Sequence, residues 1–524
     1  MRVKKFIAAL LFIAACAGLS EAADFRDELL RLDGIVSVDV ITQSPDQSGD
    51  VAFKEKYIAW FEHPIDWNNT SGIKFLQRVE IGYQGLDNVN VVNVGGYALR
   101  TERFPIDDRV ELAKMYNANF INIEYRYYGD SMPAGLSDDV PAMWEHLTNK
   151  NASNDFHNIM ETLRGILSGS WVFTGASKGG ETTNIFAYYY PNDADAYVSY
   201  VAPLCDGPED PRLMEALFTT IGDDRFGAAK AKEYRDIMMN FMVEAVRERD
   251  YVQPRYFRLV SDNVPYGSED VYVSRDNILS LDVRYEERLI DTTLGIWQYY
   301  DNFGSFDEVL KMPQRYAAAS EDRLPYLRAM LNVLRAVNDD DIYQEIASKP
   351  VGVTYVYYVQ TVKENGNYRL NFKYLRNAAE AAGLTITATD EDESEYYPKN
   401  LLKPNLLKTL VYDKTLHDNI ISWSQTTESN VIMIYGKSDP WYFVRLPDVS
   451  NPNVHIFKVD NNHRAEILSG MTSEDKAEAT ALLDSWLTHD SAAVPSPSSG
   501  GCDVGFASCG IVLLALLLMN TSKK

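Results

Sequence analysis

A chain of 524 residues, 46% hydrophobic and 24% charged, has a globular composition and room for a large catalytic domain with a substantial insertion. Its 75 acidic against 50 basic side chains give a formal net charge of -25, which excludes nucleic acid as a partner, since phosphate backbones demand Lys/Arg surfaces. Of the four cysteines only Cys205 lies outside the terminal segments, which excludes an internal disulfide framework for the folded body.

The elements follow in chain order. Met1 to Lys5 is a basic stretch, and Phe6 to Ala15 is an apolar run too short to span a bilayer. With the small residues around Ser20-Glu21-Ala22 this predicts a signal peptide over residues 1–22, and so export. Ile13-Ala14-Ala15-Cys16 is a competing, lipobox-like signal with the same consequence. Residues 23–205 alternate strand-like and helix-like segments. Val91 to Val94 is a strand ending at Gly95-Gly96, Asp107 to Tyr116 is helical, and Phe120 to Glu124 is a strand. Phe156 to Leu167 is helical, Trp171 to Thr174 is a strand entering Gly175, a helix runs toward Tyr190, and Tyr197 to Leu204 is a strand. Such alternation predicts a parallel sheet covered on both faces.

Over residues 206–424 apolar residues recur at helical spacing, as in Ala228 to Arg249 and Leu281 to Tyr299, interrupted by acidic patches. Strands return over 425–488, at Asn430 to Tyr435 and Val454 to Val459, before a last helix from Ser473 to Leu487. The expected fold is therefore α/β, with a mainly helical cap inserted between two parts of the core. Residues 489–501 form a Pro/Ser linker, and residues 502–524 carry an apolar run and a basic end. Gly500-Gly501-Cys502 with that run resembles bacterial sorting tails of the GlyGly-CTERM and SYNERG-CTERM kind, which implies attachment to a membrane or cell surface.

Gly175-Ala176-Ser177-Lys178-Gly179 matches G-x-S-x-G between a short strand and a helix, the context in which a serine stands exposed on a tight turn. Ser177 is the expected nucleophile, and it needs a base held by a third group. Three of the seven histidines precede it, and His463 alone falls in a loop beyond a late strand. Asp439, just past the strand ending at Gly436, is the expected acid, with Asp206 and Asp460 as rivals. Oxyanion donors are expected from the N–H of Lys178 and from Gly96 or Tyr97. The Lys178 side chain is expected to face solvent or an acid. A lone Cys205 reads as a small buried hydrophobe. With no H-E-x-x-H, paired C-x-x-C or G-x-G-x-x-G, no metal or cofactor is expected.

At these residues the chain resembles the secreted bacterial prolyl tripeptidyl and tetrapeptidyl aminopeptidases. Ser177 to Gly180, Tyr190 to Asp193 and Tyr200 to Pro203 look like that family's nucleophile region, and Phe75 to Val79 with Gly96-Tyr97 like its early region. Glu124 to Pro133 is similar to a segment of the lysosomal Pro-Xaa carboxypeptidases and dipeptidyl peptidases. The similarity covers about Gly72 to Pro203 and Asn430 to Ala465, not the cap. Glu181 departs from it, standing where an apolar residue is expected, so a pocket wall differs. The resemblance implies an α/β-hydrolase fold, peptide substrates and exopeptidase cleavage after proline, with Trp441, Tyr442, Tyr125 and Tyr128 near a proline slot. An esterase or lipase on the same fold and a catalytically dead surface binding module are the alternatives.

Overall fold

The computed structural model describes residues 25–41, 53–99, 111–135, 141–260, 280–303, 309–318, 323–337 and 353–487. The signal peptide, linker and sorting tail, and residues 107–110 of the helix expected from Asp107, lie outside them. No helix of the described residues is long and apolar enough to cross a membrane.

A nine-stranded sheet runs in the order β1-β2-β3-β5-β4-β6-β7-β8-β9. Its strands are β1 (Ile35–Val40), β2 (Glu55–Pro64), β3 (Lys74–Tyr83), β4 (Asn90–Val94), β5 (Asn119–Ile123), β6 (Trp171–Ala176), β7 (Ala196–Tyr200), β8 (Val431–Gly436) and β9 (Val454–Val459). From β5 to β9 every pairing is parallel, as the alternation predicts. The first three strands are a correction. They form an antiparallel meander joined antiparallel to β5, and no helix separates them to announce a sheet.

Along the central strands successive residues serve opposite faces, the period-2 rule of a strand. Val91, Phe120, Val172, Val198 and Ile432 pack beneath α1 (Glu111–Tyr116) and the last helix, Ser473–Leu487. Val92, Ile121, Phe173, Tyr197 and Met433 pack on the other face with α2 (Asn149–Arg164) and α3 (Lys178–Tyr189). All ten are buried, each contributing roughly 1.5–3 kcal/mol if an aliphatic or Phe side chain. The helix expected from Phe156 starts earlier, at Asn149, because Thr148 caps it by accepting from the Asn151 N–H at 3.1 Å.

Between β7 and β8 the described residues form helices and one isolated bridge. This is the mainly helical cap on an α/β-hydrolase core. Its longest members are α4 (Ala228–Arg247) and α5 (Leu281–Phe303), and α6 (Val353–Gln360) runs on into a wider π-helical turn, Thr361–Asn365.

The strand order reverses around β4, which lies between β5 and β6 although it precedes both. A crevice opens at such a switch point, outside the carboxyl ends of the strands. The turn after β4 carries Gly95-Gly96, and the turn after β6 carries Ser177.

Candidate active site

Ser177 stands between β6 and α3 with φ 58° and ψ -123°, a conformation rare for a residue with a side chain and costing on the order of 1–3 kcal/mol. Its N–H donates to the Tyr200 carbonyl at 2.9 Å, and its own carbonyl accepts from the Glu181 N–H at 3.0 Å. The turn is tight enough to need its glycines. A Cβ on Gly175 would lie 2.4 Å from the Gly179 oxygen, and one on Gly179 only 2.0 Å from the Val94 oxygen. The sequence G-x-S-x-G is therefore a packing requirement here: helix start, β4 and β6 meet with no room for side chains.

Asp439 follows β8 and is 1% exposed; His463 follows β9. The two meet, His463 Nδ1 lying 2.7 Å from Asp439 Oδ2. The Asp439 carboxylate also accepts from the Trp441 N–H at 3.2 Å. A cap helix completes the setting: the Gln298 carbonyl accepts from the His463 N–H at 3.2 Å, and the Tyr299 ring meets the imidazole edge-on at 5.4 Å between centroids. No hydrogen bond joins Ser177 to His463 among the described residues. In free enzymes such contacts commonly tighten only with substrate. The rival acids lie elsewhere, Asp206 paired with Lys414 and Asp460 with Lys437.

Gly96, at φ +78°, lies against the elbow, where an added Cβ would come 3.0 Å from the Gly179 nitrogen. Lys178 opens α3, where the first N–H groups have no partner within the helix. Of the two settings expected for its side chain, solvent is ruled out, and the acid Glu181 acts on its charge. It is buried, donates from Nζ to the Gly96 carbonyl at 2.7 Å, and places its ammonium 3.8 Å from the centre of the Tyr125 ring and 5.3 Å from that of Tyr128. Burial pushes that ammonium down to about 7, against the opposing field of Glu181.

A pocket lies over the elbow, lined by Ser177, Tyr97, Glu181, Tyr357, Asn365 and Trp441 among others. Trp441, expected near a proline slot, and Tyr97, expected as an oxyanion donor, line this pocket with Ser177. Tyr442 is buried with its hydroxyl donating to Asp224 at 3.1 Å. Tyr125 and Tyr128 are not brought to the pocket. They lie beneath it, fully buried, linked through Gln360 by hydrogen bonds of 3.1 and 3.0 Å, because Lys178 needs their faces. Their segment is scaffold: Glu124 accepts from the Leu99 N–H and from the N–H and hydroxyl of Ser131. Cys205 is in the pocket wall, where burial pushes its thiol well above the usual range, the opposite of an activated nucleophile.

Glu181 is buried, its Oε2 accepting from Asn365 Nδ2 at 2.6 Å. Its only sequence signal is the departure from an apolar residue; Tyr357 and Asn365, from the cap, carried none. One cluster could suit a cation, His157, Glu161 and Asp193, with ligand atoms within 4.8 Å of one another. It lies at the start of β7, the opposite edge of the sheet from Ser177, and Arg164 already pairs with Glu161.

Comparison with known proteins agrees with this chemistry. The chain is 22% identical over 469 residues to the prolyl tri/tetrapeptidyl aminopeptidase of Streptomyces mobaraensis, covering 88% of this chain and 85% of that one. It is 31% identical over 154 residues to the mouse (Mus musculus) thymus-specific serine protease, 28% of this chain and 30% of that one. A solved structure, proline iminopeptidase from Mycobacterium smegmatis, is 13% identical, covering 82% of this chain and 97% of that chain at a TM-score of 0.30. The model of the PS-10 peptidase S37 family matches residues 19–506, nearly the whole chain, and the protein belongs to that family of serine peptidases.

Proposed function

We propose that this protein is an exported exopeptidase that releases short N-terminal peptides by cutting after proline. Ser177 attacks the scissile carbonyl, His463 takes its proton and later gives it to the leaving amine, and Asp439 holds the imidazole in the tautomer that can do so. The N–H of Lys178 and an N–H of the Gly96-Tyr97 turn receive the developing oxyanion. The acyl-enzyme is then hydrolysed by water along the same path.

The observation that carries this reading is the strained Ser177 elbow at the switch point, on the same sheet edge as the His463–Asp439 hydrogen bond. Proline fits the aromatic pocket on physical grounds. Its ring is rigid and apolar, so Trp441, Tyr97 and Tyr357 bind it with little rotamer entropy lost. The similarity to a prolyl aminopeptidase over most of both chains supports the same specificity.

The test is hydrolysis of peptides X-X-Pro-Y, free and N-acetylated, beside a short-chain ester. Cleavage after proline that acetylation suppresses is expected. Equal cleavage of both peptides overturns the aminopeptidase assignment, indifference to proline overturns the slot, and preference for the ester overturns the peptidase chemistry.

A further inference from the structure

We propose that Arg225, from the cap, is a positioning residue for the His463–Asp439 pair, acting through the Ser438 hydroxyl to hold together the two loops that carry the pair. The proposal rests on the reading of Ser177, Asp439 and His463 as the reacting groups. It goes further by making one corner of the cap part of the apparatus that aligns the base.

Asp439 and His463 stand on separate loops, after β8 and β9. These strands are parallel neighbours, and their backbone pairing runs on past the strand ends. The Lys437 N–H donates to the Val459 carbonyl at 2.9 Å, and the Ser438 N–H to the Asn461 carbonyl at 3.1 Å. The loops are tightly packed, since a Cβ on Gly436 would lie 1.9 Å from the Asn462 oxygen. Ser438 directly precedes Asp439, and Asn461 is two residues short of His463. What holds Ser438 to Asn461 therefore bears on the 2.7 Å contact between acid and base.

Ser438 is fully buried, and its hydroxyl makes the last link. Oγ donates to the same Asn461 carbonyl at 3.0 Å and lies 2.9 Å from Arg225 Nη1. The direction of this relay is settled by chemistry. A guanidinium only donates, so Oγ accepts from Arg225 and its single proton is left for Asn461. A charge-assisted bond of this kind is roughly twice as strong as a neutral one, and it polarises the hydroxyl toward the carbonyl it serves.

The arginine is itself held from several sides. It belongs to a short cap helix, Asp223–Phe226. Arg235 of α4 donates to the Ile221 carbonyl and to Asp223, at 2.6 and 2.7 Å. Asp224 accepts from the hydroxyl of Tyr442, three residues past Asp439. Phe226 lies against Trp297 of α5, with ring centres 6.4 Å apart. The next two residues of α5 are those that reach the base, Gln298 through its carbonyl and Tyr299 through its ring. The helix kinks at Tyr299, with φ -134° and ψ 23°, so the base is met where the helix leaves its regular ladder. One cap corner thus touches both loops, at Ser438 and Tyr442 on the acid's side and at His463 on the base's.

The experiment compares wild type with Arg225→Met, Ser438→Ala and the double variant. Three quantities are read: kcat and KM on the free peptide X-X-Pro-Y, and the rate at which a fluorophosphonate labels Ser177. Labelling reports activation of the serine with no peptide in the pocket. In Arg225→Met, kcat and the labelling rate are expected to fall together by roughly 10- to 100-fold with KM little changed, since a misplacement of about 1 Å costs on the order of 100-fold. Ser438→Ala, which removes the intermediary but keeps the cation, is expected to show the same loss. The double variant should be no worse than either, because groups in one hydrogen-bond network are not additive. Unchanged kcat and labelling in Arg225→Met, a loss confined to KM, or losses that multiply in the double variant each overturn the proposal. Should Arg225→Met lose its thermal unfolding transition, Ser438→Ala decides, and wild-type rates there overturn the relay. A wild-type enzyme that does not label overturns the underlying reading of Ser177 instead.

Discussion

Lys178 Nζ donates to the carbonyl oxygen of Gly96 at 2.7 Å, so the residue after the nucleophile clamps the turn after β4 against the elbow. Both turns are expected to supply oxyanion donors, and a misplacement of about 1 Å costs on the order of 100-fold in rate. Lys178→Met keeps the length and the contact with Tyr125 and Tyr128 but removes the donor. The expected outcome is a fall in kcat of about 10- to 100-fold with KM little changed. A loss confined to KM would show that the clamp shapes the binding pocket and not the oxyanion site.

Ser177→Ala should abolish hydrolysis, by on the order of 10⁶-fold where the nucleophile of a triad is lost. Its side chain makes no hydrogen bond among the described residues, so folding should survive, with circular dichroism unchanged. More than a few per cent residual activity removes Ser177 from the mechanism.

Asp439→Asn retains the shape of the side chain but cannot hold the imidazole in the required tautomer. Turnover should drop by up to ~10⁴-fold with the thermal midpoint almost unchanged. Asp206→Asn and Asp460→Asn, which alter exposed partners of Lys414, His417 and Lys437, serve as controls and should be near neutral. A silent Asp439→Asn beside a damaging control would reassign the acid.

The central sheet was legible because β4, β5, β6, β7, β8 and β9 are short apolar runs punctuated by helices, and parallel strands buried on both faces read that way. The meander of β1 to β3 was not, since no helical spacing separates its strands. Ser177, Asp439 and His463 could be singled out because each follows a strand at the same sheet edge, a relation that chain order preserves. Lys178 could not be placed: whether a lysine beside a serine points outward or under the loop depends on Tyr125 and Tyr128, 50 residues or more away in sequence. The cap side of the pocket, Tyr357 and Asn365, depends on how a wide turn docks, and no local pattern encodes that.

Arg126 and Asp155 form a buried pair, both 0% exposed, with Nε and Nη2 reaching the two carboxylate oxygens at 2.7 and 2.9 Å. Arg126 also donates to the carbonyls of Ile65 and His146, and Trp67 to Asp155, so one pair ties β2's end to α2. Asp155→Ala leaves a buried guanidinium uncompensated, which costs roughly 3–5 kcal/mol. The denaturation midpoint in urea should fall accordingly. A shift equivalent to less than about 1 kcal/mol, the range of a surface pair, would show that the site hydrates freely on truncation.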